Sequence, residues 1–235
     1  MQQLFYERHI FSDSKEAAEA LAEAIAADLQ QGQDERGEAV LAVSGGCTPR
    51  RFFEALSQHD IDWQRVRITL VDERFVPESL ERSNARLVRT YLMKGAAASA
   101  DFVPLYRDDC EADEAAQNPS DDLKTILQRG FDAVVLGLGT DGHTASFFPG
   151  GDNLEEALDF AASPKILAMR AEGAGEPRLT FSASALLLTR GLYLQMESEE
   201  KRTVFEQACQ PGSTTELPIR FFLFQQQRKL DVFEC

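Results

Sequence analysis

The sequence predicts a three-layer α/β/α fold, a mainly parallel, Rossmann-like sheet with helices on both faces, in one domain over residues 1–235. Short runs that are almost wholly apolar recur along the chain, among them "EAVLAVS" (38–44) and "FDAVVLGLG" (131–139). Strands of that kind are buried on both faces, as in a parallel sheet. Segments with helical spacing alternate with them, which is the order of βαβ units. A chain of 235 residues allows one large α/β domain or two small ones, and no internal repeat or linker divides it.

Residues 13–31 read as the first helix. Asp13 and Glu16 have capping-box spacing, Ala17, Leu21, Ile25 and Leu29 form one apolar stripe, and Gly32 offers a stop. The run 38–44 is a short buried strand. Helix returns over 48–58, with Pro49 in the first turn, where its missing N–H costs nothing. "VRITLVDERFV" (66–76) is a β-branched strand running into polar residues. "SNARLVRTYLM" (83–93) opens on a cap residue and continues as helix. "GAAASADFVPLY" and "DDCEADEAAQNPSDD" read as surface connections, the second acidic and broken by Pro119. Residues 121–129 form a helix ending at Gly130, and 131–139 a central strand entered by Asp132 and left by glycines. "KILAMR", "RLTFSA" and "GLYLQM" are strand-like. A helix "EKRTVFEQA", a Pro-started helix "LPIRFFLFQ" and a short strand "KLDVF" complete the chain.

Hydrophobic residues make up 43%, enough for a real core. The net charge of −15 argues against a nucleic-acid partner, which requires a basic face. A single phosphorylated small molecule is still compatible, since a few local cations suffice. "MQQLFYERHIF" lacks the basic segment and apolar core of a signal peptide. No apolar run approaches the roughly 20 residues that span a bilayer, so no membrane partner is expected. Cys47, Cys110, Cys209 and Cys235 have neither zinc nor disulfide-framework spacing, and free thiols fit a reducing cytoplasm.

Ligands of open α/β sheets sit beyond the carboxyl ends of the strands, and three such ends are unusually polar here. Ser44-Gly45-Gly46-Cys47-Thr48 joins a strand to a helix. Its glycines permit close backbone approach, and free N–H groups at a helix start suit a phosphate. The same residues equally describe a plain tight turn capped by Thr48. In "VDERF", Arg74 offers a rigid fork of donors for phosphate oxygens, or else an internal pair with Glu73 or Asp72. In "LGLGTDGHTASFFPG" (136–150), Asp141 and His143 follow a buried strand inside a glycine-bracketed turn. A neutral imidazole there can take a proton from water, and a nearby carboxylate can orient it.

With "SGGCTP" (44–49), "DER" (72–74), "SN" (83–84), "GLGTDGHTASFFPG" (137–150), "PRLTFS" (177–182) and "EEKR" (199–202) in this order, the chain resembles the 6-phosphogluconolactonases. The resemblance implies hydrolysis of 6-phospho-D-glucono-1,5-lactone to 6-phosphogluconate, the second step of the oxidative pentose phosphate pathway, without metal or organic cofactor. It implies a fold shared with glucosamine-6-phosphate deaminases and ribose-5-phosphate isomerases. It also implies that His143 is the general base with Asp141 beside it, and that Arg74 and Lys201 hold phosphate next to Ser44, Gly45, Gly46 and Thr48. Arg178 is implied as a site or supporting residue. Cys47 stands where the family usually has Ser, and Ser198 where it usually has Gly.

Two alternatives remain at this point. One is a sugar-phosphate isomerase or deaminase acting on glucosamine 6-phosphate; such enzymes usually read "DGHIAFNEP", whereas this chain has Thr144-Ala145-Ser146-Phe147-Phe148-Pro149. The other is a non-enzymatic sugar-phosphate sensor, which would need a DNA-binding segment, while the first 37 residues hold one acidic helix. A monomer or small homo-oligomer is expected.

Overall fold

The computed structural model describes residues 3–235. Its strands are β1 (Tyr6–Ile10), β2 (Ala39–Val43), β3 (Val66–Leu70), β4 (Asp72–Arg74), β5 (Asp101–Phe102), β6 (Phe131–Leu136), β7 (Ile166–Met169), β8 (Arg178–Phe181), β9 (Thr189–Met196) and β10 (Leu230–Glu234). Seven form a parallel sheet in the order β1-β10-β9-β6-β2-β3-β5. Every residue of β2 and β6 is buried, so both faces of the sheet are covered at its centre, as their almost wholly apolar runs predict. The chain leaves β2 toward β3 on one side and reaches β6 on the other. That makes the β2–β6 junction a topological switch point, with a crevice beyond the strands' carboxyl ends.

The segment 66–76, read as one strand, divides. β3 stays in the parallel sheet, and β4 joins β8 and β7 in a three-stranded antiparallel sheet. Val71 is the joint: its N–H donates to Val43 and its C=O accepts from Phe181, at 3.0 and 3.1 Å. "KILAMR" and "RLTFSA" therefore belong to this small sheet rather than the large one.

Helix α1 (Ser14–Arg36) passes through Gly32 and ends at Gly37, whose φ of 80° supplies the left-handed stop. Gly32 has a different role, because a Cβ there would overlap the carboxyl of Asp132. Asp13 caps the Lys15 and Glu16 N–H groups at 2.8 and 3.0 Å, while Glu16 turns back to Ser12 instead of completing the box on Asp13. Helix α2 is Arg50–Leu56 with Pro49 at its N-cap, so Thr48 precedes the helix and does not cap it. Helix α3 (Asn84–Tyr91) starts on the Ser83 cap. The acidic stretch read as a connection contains α4 (Ala112–Gln117), followed by α5 (Asp121–Arg129). Two short helices, α6 (Leu154–Leu158) and α7 (Ala183–Leu186), were not foreseen, nor were β1 and β5. Helices α8 (Glu199–Ala208) and α9 (Ile219–Phe224) follow their expected segments. All four cysteines are free. Among the described residues, no helix is long and apolar enough to cross a membrane.

Candidate active site

The three polar strand ends meet around one cavity of about 320 Å³ at the switch point. After β2, the Ser44 N–H and hydroxyl both donate to the Val135 carbonyl at 3.0 Å, extending the β2–β6 pairing by one residue. Gly45 is needed for packing, since a Cβ would overlap the Asn84 side chain. Gly46 is needed for its φ of 93°. The loop then passes the exposed Cys47 thiol and reaches Thr48. The Thr48 hydroxyl accepts from Lys201 Nζ at 2.9 Å. Lys201 lies in the first turn of α8, where its N–H faces the Ser198 hydroxyl at 3.5 Å. Ser198 itself sits at φ 97°, ψ 146°, a region that glycine occupies without strain.

In β4, side chains alternate across the strand. Asp72 and Arg74 line the cavity. Glu73, 1% exposed, accepts the Arg74, Asn84 and Ala85 N–H groups at 2.8 Å each and the Ser83 hydroxyl at 3.1 Å. It thereby fastens the start of α3 to β4. Burial pushes its carboxyl up to about 7 against the pull of these N–H bonds, and Asp72 adds to the rise. Among the described residues, Arg74 makes no side-chain ion pair with Glu73 or Asp72; its Nη1 donates to the Arg82 carbonyl, and its Nε is buried without a partner.

Arg178 is the register partner of Arg74 across β4 and β8. Its Nη2 donates to the Ala174 carbonyl at 2.7 Å, its Nη1 is 3.9 Å from the Asp72 carboxylate, and its guanidinium lies 5.4 Å from the Phe148 ring centre. Burial lowers its pKa, Asp72 opposes this and Arg74 adds to it. Two guanidiniums side by side, each with a buried unpartnered Nε, leave donors available to an anion. Asp72 is held from the other side by the Ser146 hydroxyl at 2.6 Å.

After β6, the chain turns through Gly139 and Gly142, the latter at φ 81°. His143 Nδ1 lies 2.5 Å from Asp141 Oδ1, and the same oxygen accepts the His143 N–H at 3.1 Å. Burial disfavours the Asp141 carboxylate, but the bond from His143 and its charge outweigh that, so Asp141 titrates below its ordinary value. The imidazole packs against Phe148 at 4.5 Å between ring centres, with the two planes tilted by 34°. A Cβ on Gly139 would overlap the imidazole, so this glycine makes room for the pair.

Ser44, Gly45, Gly46, Thr48, Arg74, His143, Arg178 and Lys201 thus line one cavity, and Asp141 touches it through His143. The sequence offers Asp72 and Glu73 only as ion-pair partners of Arg74 and assigns no role to Asn84 or Ser146, although "DER" and "SN" carry three of these four residues. Asn84 lines the cavity and donates from Nδ2 to the Asp72 carbonyl at 3.0 Å. Among the described residues, one His/Asp/Glu grouping has metal-ligand spacing: Glu7, His9 and Asp231 on the β1–β10 edge. The Lys229 ammonium already pairs with both carboxylates at 2.6 and 3.3 Å.

Residues 12–232 match the family described as glucosamine-6-phosphate isomerases/6-phosphogluconolactonase. The chain is 49% identical to a 6-phosphogluconolactonase of Rhizobium meliloti over 96% of its own length and 97% of that protein. It is 47% identical to a 6-phosphogluconolactonase of Mesorhizobium japonicum, covering 97% and 94%. A crystal structure of a 6-phosphogluconolactonase from Shewanella baltica superimposes with a TM-score of 0.91 at 38% identity over 99% of both chains. A monomeric glucosamine-6-phosphate deaminase shares the fold at a TM-score of 0.77 and 13% identity.

Proposed function

The chain belongs to the glucosamine-6-phosphate isomerase/6-phosphogluconolactonase family, and on that premise we propose that it hydrolyses 6-phospho-D-glucono-1,5-lactone to 6-phosphogluconate with a water activated by His143. The observation that carries this reading is the Asp141–His143 pair at 2.5 Å in a cavity shared with Arg74, Arg178 and Lys201. Asp141 accepts from Nδ1 and so leaves the Nε2 lone pair as the base.

The phosphate binds between the Gly45–Thr48 loop, Lys201 and Arg74. That anchor sets the lactone carbonyl against His143, so the reaction becomes effectively unimolecular. Nε2 takes a proton as the water oxygen bonds to C1. When the tetrahedral intermediate collapses, the bond from C1 to the ring oxygen breaks, and Nε2 returns the proton to that oxygen. Asp141 orients the imidazole and offsets its charge while protonated. General acid–base assistance of this kind is worth roughly 10²–10⁴ in rate. A small phosphorylated lactone as sole partner and a reducing cytoplasmic setting complete the reading.

The deaminase alternative has no observation of its own, since likeness at 13% identity concerns the fold alone. For the sensor alternative, residues 6–36 are an edge strand and a core helix rather than a separate DNA-binding segment. The test supplies fresh lactone and follows 6-phosphogluconate formation above the uncatalysed rate. No excess over that rate, or release of ammonia from glucosamine 6-phosphate, would refute the proposal.

A further inference from the structure

At the end of the sheet away from the catalytic cleft, where β6 and β9 begin, lies a second cavity of about 310 Å³. Arg36, Arg129, Arg190 and Arg228 line it, with Phe131 and Leu188 as an apolar wall, and no acidic residue shares the lining. In a chain of net charge −15 this is a local reversal of sign. Arg36 and Arg129 end α1 and α5 and hold the fully buried Asp132 between them. Cations suit helix C-termini, so a structural role accounts for these two.

It does not account for Arg190, inside β9, or Arg228, in the turn before β10. Arg190 meets Glu35 through one Nη, and its Nε is buried without a partner. The exposed Arg228 guanidinium has no partner among the described residues. Glu35, Glu38 and Asp132 pair with Arg36, Arg129 and Arg190, and Asp28 acts on Arg190 from further off, so Arg228 is the guanidinium left without a carboxylate among the described residues. Arg129 registers the crowding: burial, then Arg36, push its guanidinium below its ordinary value, with Glu38 opposing.

We propose that this arginine-lined cavity is a second anion site, separate from the catalytic cleft, which takes a small phosphate monoester. Guanidinium forks match phosphate oxygens in pairs. The half-exposed Leu188, backed by the buried Phe131, offers an apolar surface to a short carbon skeleton. The cavity is about as large as the catalytic one, 310 against 320 Å³, so it has room for more than a bare ion.

The test is calorimetric titration of the full chain with inorganic phosphate and with glycerol 3-phosphate, at fixed ionic strength in a phosphate-free buffer. The wild type should show two sites. Arg190→Gln with Arg228→Gln should lose one, and Arg74→Gln with Lys201→Met should keep that one. Glycerol 3-phosphate should bind the arginine site at least as tightly as phosphate does. If the first double variant melts early, Arg228→Glu alone, on an exposed turn, should weaken the site at least tenfold. A single wild-type site abolished by Arg74→Gln with Lys201→Met overturns the proposal. So do wild-type titrations in the Arg190 and Arg228 variants, and exclusion of the ester.

Discussion

Replacing Gly139 by alanine separates the chemistry from the fold with one methyl group. Gly139 is not in the left-handed region, so its backbone accepts a side chain. The added Cβ would overlap the His143 imidazole and stand 2.6 Å from Asp141 Oδ1, closer than carbon and oxygen can approach. Both obstacles are ends of side chains, so they rotate away and the turn stays. Moving a side chain about 30° off its rotamer costs roughly 0.5–1.5 kcal/mol. A loss of about 1 kcal/mol lowers the melting temperature of a chain this long by about 2–4 °C. Turnover suffers more, because the imidazole loses its orientation toward water. The roughly 10²–10⁴ supplied by general acid–base catalysis corresponds to about 2.7–5.4 kcal/mol of barrier. We therefore expect kcat to fall at least a hundredfold, with 6-phosphogluconate binding nearly unchanged because the loop proposed to hold its phosphate is untouched. The assay follows product from fresh lactone, with the uncatalysed rate subtracted. Gly173→Ala is the control, since a Cβ there meets nothing within 4 Å. Wild-type turnover in Gly139→Ala would refute the pairing of Asp141 and His143 as the source of catalysis.

Neutralising Arg74 or Lys201 should weaken 6-phosphogluconate binding by about 1.5–3 kcal/mol, roughly 10- to 150-fold, and gluconate binding far less; equal losses in a competition assay would contradict the phosphate role. Cys47→Ser should keep most of the activity, and intact-mass measurement of quenched enzyme should find no acyl adduct, because in the proposed binding mode phosphate sits at this loop and C1 lies at His143. Ser198→Gly removes strain worth about 1–3 kcal/mol, offset by a weakened cap of a few tenths and about 0.4–1 kcal/mol of unfolded-chain entropy. Its melting temperature should rise by a few degrees, and a fall would show that the Ser198 cap matters more than its backbone. Glu73 titrates near 7 when folded and near 4.5 when unfolded. Between those values the folded chain keeps a proton that the unfolded chain has released, so stability falls as pH rises, by about 3 kcal/mol in all. Glu73→Gln should flatten that slope in urea melts at pH 5 and pH 8, and an unchanged slope would move its origin elsewhere.

The centre of the sheet and the two glycine turns that line the cavity were legible in the amino-acid sequence. The run 39–43 is wholly apolar and 131–136 is apolar but for Asp132, the composition of a strand covered on both faces. Gly46 and Gly142 stand in left-handed turns at the ends of those strands, and Asp141 and His143 share the second of them, although their 2.5 Å contact is visible only in the structure. These features depend on residues within a turn or two of each other, where periodicity and allowed dihedrals decide. Tertiary structure alone decided that 66–76 breaks at Val71 into two sheets, so that Arg74 lands beside Arg178 rather than on Glu73. It decided that Glu73 turns away to fasten α3, that Lys201 reaches Thr48, and that Gly32 makes room for Asp132 instead of ending α1. Each of these contacts joins segments far apart in the chain. Their register is set by which strands pair and which carboxylates must be satisfied once buried, and neither quantity is carried by local spacing.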